Sequence, residues 1–204
     1  MLTTKLIVER LDKEGRLLER REQQSRSFLI QFMQFLQARH DYITLNILDI
    51  TNTIRAAFVT RINLQIASPG GWGAVKGAVE ASVYSIEGEQ IGIVVGTGVG
   101  AVAPTNYALG AKIAHGNGAG QLEYGGNEIL PIVIAAPSAS FIIRRYFTNN
   151  SGGAITVQEA GIYAKITITT NYAYAACIAR DLTGAVAVAN TEILRVTYVP
   201  QITV

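Results

Sequence analysis

Apolar and polar residues alternate over short stretches through most of this chain, the period of strands that bury one face. The chain opens on an expected β-hairpin: Leu6, Val8 and Leu11 mark one arm and Leu17-Leu18 the other. Asp12-Lys-Glu-Gly15 between them is turn chemistry, with Gly15 free to take positive φ. One stretch departs from strand periodicity. Phe28, Leu29, Phe32, Phe35 and Leu36 recur at helical spacing, so a helix is predicted over about 27–39, capped by Ser25 or Ser27. Strands are then predicted over 42–48, 57–66, 79–85, 90–95, 120–124, 129–135, 140–149, 154–168, 173–180 and 192–204, with Gly, Asn and Pro turns between them. A single helical turn is expected over 107–114. Short strands at this spacing define a mainly β protein, an antiparallel, jelly-roll-like β-sandwich carrying an N-terminal hairpin and one α-helix.

Charge sharpens the division. Positions 1–71 hold 17 charged residues and positions 72–204 hold 15, and the break falls at Ser68-Pro-Gly-Gly-Trp-Gly73. Residues 1–67 are expected as a docking segment and 72–204 as the sandwich. The chain is 49% apolar and only 16% charged, against about 25% charged in ordinary soluble domains. A surface covered by partner subunits accounts for that deficit. The net charge of +2 supplies no field for nucleic acid. Charges begin at Lys5, so no leader peptide is expected, and the single Cys177 cannot form an intrachain disulfide. The most apolar run, 129–143, is broken by Pro131 and Pro137. It falls short of the ~20 residues of a membrane helix and is expected as a buried strand pair.

Few residues point to chemistry. Gly96-Thr-Gly98-Val-Gly100 follows an apolar strand but fits neither phosphate-loop spacing, and Pro104 follows where a helix should begin. His40 and His115 lie far apart, and Cys177 sits in a small apolar strand as an inert thiol. Glu123 and Glu128 flank Gly125-Gly126 without defining a carboxylate pair. Glu159 meets a break in strand alternation before Gly161, and is expected to accept backbone N–H groups at a bulge or turn. Arg144-Arg145 and Arg20-Arg21 are adjacent cations on opposite strand faces, suited to interface ion pairs. Trp72, set among glycines, is a core anchor or a contact residue. No catalytic, cofactor-binding or metal-ligating residue is expected.

From residue 92 onward the order of motifs is distinctive. Gly92-Ile-Val-Val-Gly-Thr-Gly98, Thr105-Asn-Tyr-Ala-Leu109, Ile113-Ala-His-Gly116 and Gly118-Ala-Gly-Gln-Leu-Glu-Tyr124 come first. Phe147-Thr-Asn-Asn-Ser-Gly-Gly-Ala-Ile-Thr-Val-Gln-Glu-Ala-Gly-Ile-Tyr163, Ile178-Ala-Arg-Asp181 and Leu194-Arg-Val-Thr-Tyr-Val-Pro-Gln-Ile-Thr-Val204 follow. Together they resemble β-rich virion structural proteins of tailed bacteriophages, of the tail, baseplate, adaptor or decoration type. The resemblance covers over half the chain and includes no catalytic residue. It implies a non-enzymatic structural subunit, a capsid decoration or head–tail or tail connecting protein, made in the host cytoplasm and located in the virion. The partners it implies are further copies of the chain and other virion proteins, with no direct nucleic-acid role and no membrane. Phe28, Phe32, Phe35, Leu36, Trp72, Arg144 and Arg145 are the assembly-interface candidates, and Glu159 and Gly161 the structural turn or bulge pair. The alternative is a lectin-like receptor-binding module at a tail or fibre tip, for which Trp72, Tyr107 and Tyr124 are the candidate ring platforms.

Overall fold

The fold is that of a computed structural model, which describes residues 2–25, 28–41, 45–57, 90–167 and 173–204. The protein is mainly β. Strands β1 (Leu2–Leu11) and β2 (Leu17–Ser25) form the N-terminal hairpin. The Asp12 carboxylate accepts the Glu14 and Arg16 N–H groups at 3.0 and 2.8 Å, and Gly15 takes φ +82°. Helix α1 (Ile30–Asp41) begins later than its apolar spacing implies. Phe28 and Leu29 instead lie along strand β11 (Ala173–Val188): Phe28 bridges Ala179 and the Leu29 N–H donates to the Ile178 carbonyl. Ser25 is no cap; it ends β2 and its hydroxyl donates to Asp181. Strands β3 (Leu45–Leu48) and β4 (Ile54–Ala57) make a small hairpin whose turn is organised by buried Asp49.

The remaining strands are β5 (Gly92–Gly96), β6 (Glu123–Ile129), β7 (Val133–Ala135), β8 (Ser138–Ser140), β9 (Ile143–Thr148), β10 (Ile155–Thr167) and β12 (Ile193–Thr203). The larger sheet runs β2-β1-β12-β8-β7, with β9 also on β12 and β6 on β9. β8 and β9 continue one register along β12: Ser140 opposes Gln201 and Ile143 opposes Tyr198. The gap between them faces Pro200, which has no N–H to give to the ladder. β1 pairs with β12 along its whole length, so the division near residue 68 is no boundary of this sheet: the expected docking segment supplies two of its strands.

The inward face of the larger sheet is built from cross-strand rows. Leu6, Tyr198, Ile143 and Ile129 form one; Val8, Val196, Arg145 and Asn127 form the next. These rows pack on Ile93, Val95, Val157, Ile162 and Ile178 of the second sheet, β11-β10-β5, closing a sandwich. The second sheet is covered on its other face too. Val94, Tyr163 and Cys177 there meet Leu29, Leu109 and Val102. Burial on both faces explains why residues 91–96 and 175–179 read as continuous small apolar runs without alternation.

Two local expectations are overturned. The turn over 107–114 is not helical: the N–H groups of Leu109, Gly110 and Ala111 go to the Tyr163 hydroxyl and the Glu159 carboxylate, which removes the donors a helix would use. The run 129–143 is a strand pair but not a buried one, since Ile129, Ile132, Val133 and Ile134 are exposed. The predicted strand over 79–85, nearly all of that over 57–66, the alternative helix cap Ser27, the linker at 68–73 and Trp72 lie outside the described residues.

Candidate functional site

The best-organised polar structure is a clamp on the outer face of the smaller sheet. Glu159 lies where the β10–β11 register shifts, and its carboxylate is fully buried. It accepts the N–H groups of Gly98, Gly110 and Ala111 at 3.1, 3.0 and 2.8 Å. Arg180 Nε donates to the same carboxylate at 2.8 Å. The rest of the Arg180 guanidinium donates to the Gly100 and Ala101 carbonyls and to Asn106 Oδ1. The buried pair thus ties both ends of the loop 97–112 to the sheet, one charge holding N–H groups and the other carbonyls.

This explains the glycines of Gly96-Thr-Gly98. A Cβ on Gly96 would stand 2.6 Å from Glu159 Oε1, and one on Gly98 would overlap that oxygen. Backbone donors do surround an anion here, as in a phosphate loop, but the anion is the protein's own carboxylate. Gly161 answers a different constraint. A Cβ there would sit 2.7 Å from both the Ala179 carbonyl oxygen and Leu109 Cδ1, so its role is close packing between β11 and the loop. Cys177 is wholly buried and burial pushes its thiol pKa up, which keeps it protonated and unreactive.

Arg145 does not belong to a surface. It is 2% exposed and points inward between the sheets. Its guanidinium donates to the carbonyls of Gly125, Ile91 and Ile93 at 2.7, 3.0 and 2.9 Å. Asn127 beside it accepts the Ile93 N–H and donates to the Ile91 carbonyl. Side chains of the larger sheet therefore satisfy the open edge of β5, where another strand would otherwise be needed. Arg144, one residue earlier, points outward onto Glu128 at 2.6 Å. Buried Glu9 is likewise held between Arg195 at 2.7 Å and Arg20 at 3.1 Å. The Arg195 hydrogen bond leads in pulling the Glu9 carboxyl below its ordinary pKa.

The helix candidates divide between inside and outside. Phe35 is buried, and Phe28 stacks on Phe32 with ring centroids 4.3 Å apart, both packed partly on the chain's own core. Leu36 stays exposed, as do Ile30 and Met33. Tyr124 is no open platform: its ring packs edge-on to Phe147 and its hydroxyl donates to the Ile113 carbonyl at 2.6 Å. Tyr107 lies at the surface. In the Asn149-Asn-Ser-Gly-Gly153 stretch, buried Asn149 donates to the Gly153 and Val188 carbonyls and accepts from Ser151, so this motif is a turn organiser.

Sequence reading missed Arg180 and Asn127, whose partners lie tens of residues away and leave no local signal. It also missed the exposed β7 hairpin, although the absence of any Asp, Glu, Lys, Arg or His over 129–143 marks that segment. Compared with family models, curated proteins and solved structures, the chain matches none.

Proposed function

We propose that this chain is a non-enzymatic structural subunit of a tailed-phage virion, a capsid decoration or head–tail or tail connecting protein that acts through repeated subunit contacts. The observation that carries the assembly reading is an exposed, charge-free apolar hairpin on a rigid sandwich, with Ile132, Val133 and Ile134 in solvent. Ion pairing within the chain makes the contrast sharper, because Glu9, Glu22 and Glu128 are each spoken for by Lys or Arg neighbours. Contiguous apolar surface of this kind marks contact with another macromolecule. The placement in a phage particle is supported by the order of motifs over 92–124 and 147–204.

Among the described residues, several polar groups that could serve a ligand are turned to internal use. Glu159, Arg180 and Arg145 hold backbone, and Tyr124 serves the core. Such an interior makes a stiff body with a fixed outer shape, the property required of a part copied many times in one assembly. The purified protein should therefore self-associate. Sedimentation velocity at about 10–100 µM, a range in which weak interfaces populate, should show species larger than the 21.9 kDa chain. A single monomeric boundary throughout would contradict the proposal.

A further inference from the structure

The inward face of the larger sheet is longer than the sheet that covers it. In the rows beginning at Leu6 and Val8, the strands β1, β12 and β9 are covered by the second sheet, and the same side of the sheet continues to a last row, Leu2–Ile202–Ala139–Ile134. Opposed residues in antiparallel strands share a face, and Leu2, Ile202 and Ile134 keep the parity of Leu6, Tyr198 and Val196. Yet Leu2 is 49%, Ile202 52% and Ile134 80% exposed. The row crosses four strands.

We infer that this uncovered row is the contact between copies of the chain, two of them packing face to face where the second sheet ends. The inference rests on the proposed role as a repeated subunit and says which surface does the repeating. Charge selects the occupant. The hairpin 129–143 carries no ionisable side chain, whereas β2 at the opposite edge of the same sheet carries Glu19, Arg20, Arg21 and Glu22. Natural edge strands are ordinarily guarded by charge; at the edge away from β2 the charges, Glu123 and Glu128, sit on β6, and β7 and β8 carry none. A partner with charges facing the row would lose their hydration without gaining an opposite charge. A second copy brings an uncharged, apolar row of the same shape, which a twofold axis sets against the first.

Size sets the strength. Four strands about 4.8 Å apart make a patch on the order of 300 Å², well below the ~800 Å² per partner of a stable isolated pair. One such contact is weak in solution and becomes persistent when an assembly holds many copies together. Association is therefore concentration-dependent.

The test compares the full-length protein with Ile134→Glu and Ile202→Glu by sedimentation velocity across a concentration series, with a thermal melt of each. The inference expects wild type to associate, both variants to shift association to at least about tenfold higher concentration as a carboxylate meets its own copy, and the Ile134→Glu melt to match wild type. If wild type associates and both variants associate equally well, the inference is overturned while the subunit role stands. A wild type that stays monomeric throughout overturns both. Unchanged association with a lowered Ile134→Glu melt overturns the inference too, and assigns the row to a segment of the same chain.

Discussion

Glu159→Ala and Arg180→Met should each lower the melting temperature by roughly 6–20 °C, because each strands the other's buried charge. Breaking one side of a buried ion pair costs about 3–5 kcal/mol, and each kcal/mol moves the midpoint of a domain this size by roughly 2–4 °C. Glu159 is the larger loss in kind, since it also leaves the N–H groups of Gly98, Gly110 and Ala111 without their acceptor. The double variant Glu159→Leu with Arg180→Met should melt above the sum of the single losses, as it leaves no lone charge behind. Limited proteolysis should find new cleavage within the loop 97–112 in both single variants, because the pair is what ties that loop down. Single variants that melt within a degree or two of wild type would show that the clamp contributes nothing.

Arg145→Met should cost about 3 kcal/mol or more, the result of leaving the carbonyls of Gly125, Ile91 and Ile93 without the cation they bond. The guanidinium also stands 4.8 Å from the Tyr124 ring centroid. Arg145→Lys should rescue little of this loss. A single ammonium cannot reproduce a planar fork that serves the Ile91 and Ile93 carbonyls and one on β6 together. Chemical denaturation reads the cost directly, and an Arg145→Lys variant as stable as wild type would contradict the assigned role. Arg144→Met is the matched control, since its ion pair with Glu128 is at the surface and should change stability by less than about 1 kcal/mol.

Local pattern made the hairpin legible, because alternation and turn chemistry at Asp12-Lys-Glu-Gly15 act within a dozen residues. The same locality misplaced the helix start. Phe28 and Leu29 fit the helical stripe, but their backbone groups find partners on β11, and no helical spacing reveals that competition. The run 129–143 shows the opposite failure: its hydrophobicity implies burial, but the hairpin extends past the sheet that would have covered it. At the clamp, the glycine at 161 and the break in alternation pointed to Glu159 as a backbone acceptor, while its cationic partner was invisible. The separation of 21 residues to Arg180 is fixed only by the β10–β11 register. Arg145 illustrates a further limit. Adjacent cations on a strand must face opposite ways, but which of the two enters the core depends on where β5 leaves carbonyls to satisfy.

The most direct test of the proposed role is quantitative mass spectrometry of purified particles from a phage that encodes this chain. The account predicts the intact chain in the particles, in multiple copies at a fixed ratio to the other structural proteins. Its absence from washed particles, while present in the infected-cell lysate, would contradict the assignment to the virion.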